Sequence, residues 1–167
     1  MMEYREAILR NPTSAYPYLA WGWTLESMSR LAEWIVENRV SIATSDDIGR
    51  HSFAHLITQL AQHPERAAQR SRQLVQTATH LDSTAAFTHY SAGLHTLQQW
   101  ETLPAAERVR VVQQLRSAVQ LEPTYAPVIL QALWERTQDR ELVRTLAHGT
   151  SEEALWRIDG GKIAGGR

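Results

Sequence analysis

The chain contains no cysteine, only one lysine (Lys162), and no apolar run approaching the roughly 18 residues needed to cross a bilayer. Without cysteine it can form no disulfide, thiol nucleophile or Cys-ligated zinc site. Its 17 basic and 18 acidic side chains give a net charge of −1. This balance argues against nucleic acid or an anionic membrane held by bulk electrostatics. We expect no nucleic-acid partner and no membrane insertion by this chain.

The sequence also lacks the usual motifs of catalysis. It has no Gly-x-Ser-x-Gly elbow and no Gly-Lys-Ser/Thr phosphate cradle. His51 and His55 stand four residues apart, a helical spacing that can chelate a transition metal. The only candidates for a third ligand are Asp46, Asp47 and His63. We therefore interpret the histidines as solvated or core residues and expect no enzyme, no metal and no cofactor.

Strand signals are almost absent, and apolar residues recur at intervals of three and four, as in Leu31, Trp34 and Ile35. Helix breaks are readable at prolines and polar connectors. They lie at 11–13, 41–46, 63–65, 103–107, 123 and 139, and a last short helix is predicted over 151–156. The sequence thus predicts an all-α domain of about nine helices over 1–158 and a flexible Gly-rich tail over 159–167.

Three stretches of the chain can be superimposed: 7–15, 78–86 and 118–126. Each has an Ala five residues before a Pro or Ser and a Thr one residue after it. Ten residues beyond the Pro or Ser stand Gly22, Gly93 and Leu133. Spacings of 71 residues from Pro12 to Ser83 and 40 from Ser83 to Pro123 suit a repeat of about 34 residues with small insertions. Internal repetition of this kind indicates stacked supersecondary units, which usually bind a partner and seldom catalyse.

This pattern resembles the tetratricopeptide repeat (TPR). Gly22 and Gly93 match its small position 8, and Pro12 and Pro123 match its Pro at 32. Ala7, Ala78 and Ala118 match the Ala at position 27 of the repeat. Tyr4, Val75 and Leu115 match its bulky position, eight residues before the Pro. The second unit departs from the pattern, because Asn38 and Ser41 stand where a bulky residue and an Ala belong. The resemblance implies a right-handed solenoid of stacked antiparallel helix pairs, with about three to four degenerate repeats.

A narrower resemblance covers 98–104, 118–125 and 133–139. These segments look like the repeat-bearing tails of bacterial O-antigen ligase/polymerase-type membrane proteins, whose catalytic machinery lies in the membrane part. This resemblance implies an alternative function, that of a soluble accessory tail in surface-polysaccharide assembly. The domain would then be periplasmic, whereas a freestanding adaptor would be a soluble cytoplasmic protein.

In TPR repeats the first helix of each pair lines a concave groove, and its positions map here onto an aromatic-rich stripe. The predicted partner-binding residues are Tyr16, Leu19, Trp23, Phe87, Tyr90, Leu94, Leu130 and Trp134. Exposed apolar stripes mark binding sites for helices or extended peptides. The alternative is that these side chains are ordinary core between repeats. We expect a non-catalytic scaffold or adaptor that binds a protein or peptide, and a homodimer through uncapped end repeats is a further option.

Overall fold

The computed structural model describes the backbone of residues 2–38 and 48–150, and the side chains of residues 3–38 and 55–150. Every regular element in this part of the chain is a helix and none is a strand, which confirms the predicted all-α class. Two short 3-10 turns, Trp100–Thr102 and Pro123–Tyr125, lie between helices. The eight α-helices within the described residues are α1 (Met2–Arg10), α2 (Ala15–Glu37), α3 (Ile48–Gln62), α4 (Pro64–Leu81), α5 (Ala86–Leu97), α6 (Ala105–Leu121), α7 (Ala126–Thr137) and α8 (Arg140–Ala147).

The helix boundaries follow the predicted breaks. Helix α4 begins at Pro64, where a missing N–H costs nothing. Helix α8 is capped by Asp139, whose carboxylate accepts a hydrogen bond from the Leu142 N–H at 3.0 Å. After this helix Gly149 adopts a left-handed φ of 82°, which glycine adopts without a steric penalty. The predicted ninth helix over 151–156, the tail over 159–167 and the connector over 41–46 lie outside the described residues.

The chain divides into two compact units, Met1–Leu81 and Asp82–Arg167. In the first, α2 packs mainly against α4 and to a lesser extent against α3 and α1. Its core includes the buried residues Leu25, Ala32, Ile57, Leu60, Ala67 and Leu74. In the second, α5 packs against α6 and α7 against α8. A larger core runs through this second unit, from Leu97 to Ala147.

A glycine closes the main helix pair of each unit. A Cβ added at Gly22 would lie 2.7 Å from Val75 Cγ2 and 3.1 Å from the Ser71 carbonyl. A Cβ added at Gly93 would lie 2.5 Å from Leu115 Cδ2. Both glycines therefore allow two helix backbones to approach more closely than any side chain would permit.

At Asn38, where the sequence already departs from the repeat pattern, the structure shows the end of a helix. Asn38 follows the last turn of α2 and hydrogen-bonds Trp34 O, so it is a helix cap and no packing position. The bulky side chain that covers Gly22 comes instead from Val75, on α4. In chain order, α3 therefore lies between α2 and α4, the two helices that form the main pair of this unit. Ser41 lies outside the described residues.

The enlarged turn predicted near Trp100 is present and is held by one arginine. Arg108 donates from Nε to Trp100 O and from a terminal nitrogen to Glu101 O, both at 3.1 Å. Its guanidinium also lies 5.3 Å from the centroid of the Trp100 ring, within range of a cation–π interaction. The extra residues of this turn therefore form a defined 3-10 segment before α6 begins.

Candidate interaction surface

Among the described side chains of the first unit, the most exposed aromatic ones lie along one side of α2. Tyr16, Trp23 and Trp34 are 71%, 40% and 53% exposed. Spacings of 7 and 11 residues each fall within about 20° of whole helical turns, so the three side chains form a single line. We call Tyr16, Trp23 and Trp34 the α2 aromatic face. The line is about 27 Å long at 1.5 Å per residue, and Leu31, also exposed, lies beside it.

The same helix buries its other side, which explains how the aromatic face is presented. Leu19, Gly22, Leu25, Ser29 and Ala32 are buried. In addition, the Ser71 hydroxyl of α4 donates a buried hydrogen bond of 2.8 Å to the Gly22 carbonyl. A helix fixed on one side by tight packing and an interhelical hydrogen bond holds its opposite side as a rigid surface.

Charged groups flank the aromatic face on one side. Arg30 forms an ion pair with the largely buried Glu26 carboxylate one turn earlier, with nitrogen and oxygen 2.5 Å apart. Glu33 and Glu37 are exposed and make no ion pair with any described residue. On a helical wheel they lie about 60–100° from the aromatic line, on the side of Arg30. The rim of the surface is therefore acidic on this side.

The residues predicted to line a groove in the first unit fall into two groups. Tyr16 and Trp23 are accessible, whereas Leu19 is buried and belongs to the core. Trp34 was not among the predicted residues. The sequence placed it in an apolar helical pattern with Leu31 and Ile35, which reads equally well as core. Its distance of 11 residues from Trp23 is the signal that could have identified it.

Most of the residues predicted to line a groove in the second unit lie in its core or pack against it. Leu130 is buried, and Tyr90, Leu94 and Trp134 are partly buried against the core. The Tyr90 ring stacks on Tyr125 with centroids 4.4 Å apart. Stacked aromatic pairs of this geometry stabilise packing by about 0.5–1.5 kcal/mol beyond area burial.

Phe87, at 54% exposure, is the one predicted groove residue of the described second unit that is largely accessible.

The histidine pair of α3 does not gain a described third ligand. His55 is exposed, and its Nε2 lies 3.1 Å from Gln59 Nε2. The side chain of His51 lies outside the described residues, as do Asp46 and Asp47. Among the described side chains, no group of three or more His, Asp or Glu residues is arranged to hold a metal.

None of the helices in the described residues combines the length and apolar character needed to cross a bilayer. Comparisons with protein-family models, curated proteins and solved structures gave no match.

Proposed function

We propose that this protein is a non-catalytic interaction module that binds an apolar helical segment of a partner protein along the α2 aromatic face. The observation that carries the proposal is the line of Tyr16, Trp23 and Trp34 on a helix whose opposite side is fixed in the core. Aromatic side chains supply large contact areas with few rotatable bonds to restrict on binding. A line about 27 Å long matches about 18 residues of helix.

The charges beside the face specify the partner further. On one edge Glu33 and Glu37 offer two carboxylates that form no ion pair with a described residue, whereas Arg30 is paired with Glu26. Charge complementarity at a rim contributes more to specificity and association rate than to affinity. The proposed partner is thus an amphipathic helix with an apolar stripe bordered by lysine or arginine.

Site-specific photo-crosslinking identifies such a partner. A photoreactive phenylalanine analogue replaces Ser27, an exposed residue of α2 within the line of the aromatic face. The matched control carries it at Gln113, an exposed position of α6. We expect one amphipathic peptide to crosslink from position 27 only, and absence of a position-specific crosslink would contradict the proposal.

Binding of the identified peptide is then measured by fluorescence anisotropy. Trp34→Ala is expected to weaken binding by about 30-fold or more, the effect of losing a 2 kcal/mol hot spot. Glu33→Gln with Glu37→Gln is expected to lower the association rate and its salt dependence. Unchanged affinity in Trp34→Ala would refute the proposal. If sedimentation shows a dimer that Trp34→Ala dissociates, the occupant is a second copy of this chain rather than another protein.

A further inference from the structure

The second unit contains a cavity lined by α6, α8 and the turns that follow them. Its volume is about 680 Å³. Polar side chains reach it from both helices: Arg116 and Gln120 from α6, and Thr145 and His148 from α8 and its cap. Its apolar lining includes Val119 and Leu146, which are themselves buried. The cavity thus combines a polar edge with an apolar floor, as small-molecule sites do.

The hydrogen-bonding groups at this edge favour a negatively charged ligand. The Thr145 hydroxyl already donates to Glu141 O at 2.7 Å, so its proton is committed to its own helix. Arg116 and Gln120 make no hydrogen bond or ion pair with any described residue, and their N–H groups remain available. No described residue lining the cavity is acidic. A carboxylate matches the forked donors of a guanidinium.

The backbone limits how much negative charge the cavity accepts. Helices α6 and α8 end beside it, at Leu121 and Ala147, and the partial negative charge of helix C-termini opposes anions. A doubly charged phosphate is therefore disfavoured more strongly than a monoanion. Glu141, the nearest acid along α8, is paired with Arg144 at 3.1 Å.

We infer that this cavity binds a small monocarboxylate with an apolar chain. The carboxylate lies on Arg116 and Gln120, and the chain lies over Val119 and Leu146. The site is independent of the α2 aromatic face, so neither proposal depends on the other.

The test is a titration of the full ¹⁵N-labelled chain with hexanoate at constant ionic strength, followed by amide chemical shifts. We expect saturable shifts at Gln120, Leu146 and Gly149. Arg116→Gln should weaken binding by about tenfold or more, and Arg116→Lys should weaken it less. The matched control Arg110→Gln removes a charge from another exposed position of α6 and should leave binding unchanged.

Two further probes test the negative charge and the apolar chain of the ligand one at a time. Hexylammonium tests the apolar chain without the negative charge, and inorganic phosphate tests the charge without the chain. Both should bind at least about tenfold more weakly than hexanoate. Non-saturable shifts, equal binding by either probe, or an affinity for hexanoate unaffected by Arg116→Gln would overturn the proposal. A retained spectrum of dispersed amide signals in Arg116→Gln shows that the variant is folded.

Discussion

In both units a glycine of one helix packs against a bulky side chain of the other helix in the main pair, but the residue one turn before that side chain differs. Gly22 of α2 faces Val75 of α4, and Gly93 of α5 faces Leu115 of α6. Four residues before each bulky partner, the first unit has Ser71, which hydrogen-bonds the Gly22 carbonyl, and the second has the buried Val111. A close glycine contact is therefore the shared feature, and a polar or an apolar neighbour can complete it.

The units also differ in where their aromatic residues lie. Trp23 and Trp34 of the first unit are exposed, whereas Trp134 of the second is partly buried and Tyr90 stacks on Tyr125. In the second unit residues of α7 and α8 belong to the core against which Tyr90 and Trp134 pack. The difference is confined to one position of the pattern: Trp23 is exposed in the first unit, whereas its equivalents Leu94 and Trp134 are partly buried against the core of the second.

The largest expected effect is that of Leu115→Ala. Leu115 is fully buried, and removing its side chain should lower the free energy of unfolding by about 2–5 kcal/mol. Hydrogen exchange of the α5 and α6 amides measures this loss within the second unit. The matched control is Leu121→Ala, at an exposed position of the same helix, and should change stability by less than about 0.5 kcal/mol. Equal losses in the two variants would contradict the assigned core.

Replacing either glycine by alanine should destabilise its own unit. Contacts as short as 2.7 Å and 2.5 Å place the overpacking cost in the upper part of the usual range of about 1–3 kcal/mol, so it should outweigh the gain of about 1 kcal/mol in helix propensity. Amide exchange in α2 and α4 reports on Gly22→Ala, and exchange in α5 and α6 reports on Gly93→Ala. Ser27→Ala, at an exposed position of α2, is the control and should not destabilise. Wild-type stability in either glycine variant would disprove the close approach of that pair.

A double-mutant cycle sharpens this comparison. The added Cβ at Gly93 meets mainly side-chain atoms of Leu115, whereas the one at Gly22 also meets the Ser71 backbone carbonyl. Leu115→Ala should therefore relieve Gly93→Ala more fully than Val75→Ala relieves Gly22→Ala. Coupling energies between contacting residues are typically about 0.5–3 kcal/mol, and the larger value is expected for Gly93 with Leu115.

Ser71→Ala should have a smaller effect, confined to the first unit. The variant loses the hydrogen bond to Gly22 O, which stabilises the fold by about 1 kcal/mol. Amide exchange in α2 and α4 measures the loss, and exchange in α5 and α6 should be unchanged. The comparison variant is Ser29→Ala, which replaces a different buried serine, on α2. If the free energy of unfolding of Ser71→Ala were unchanged, the hydrogen bond between Ser71 and Gly22 would not stabilise the packing of α2 on α4.

The local features of this fold could be predicted from the sequence, but the pairing of its helices could not. Pro64, Asp139 and Gly149 act on their own backbone, so the corresponding helix boundaries were readable. The partner of Gly22 depends on which of α3 and α4 packs against α2. Both carry helical periodicity, and only the packed structure distinguishes them.

The same limit applies to the candidate surface. Leu19 and Leu130 occupy the same position relative to Gly22 and Leu133, and both are buried by neighbouring helices. Tyr16 stands three residues before Leu19, and Pro127 stands three residues before Leu130. Both Tyr16 and Pro127 are exposed. Helical periodicity identifies which side a residue lies on, whereas burial depends on what covers that side.

The smallest effect on stability is expected for Tyr16→Ala and Phe87→Ala, which sharpen the comparison between surface and core. The two residues occupy equivalent positions at the starts of α2 and α5, and both are largely exposed. Each substitution should change the free energy of unfolding by less than about 0.5 kcal/mol, as at other exposed sites. Binding of the crosslinked peptide should weaken only in Tyr16→Ala, because Phe87 is outside the α2 aromatic face. Equal weakening in both variants would mean that the partner contacts both units, and the aromatic face alone would then no longer account for binding.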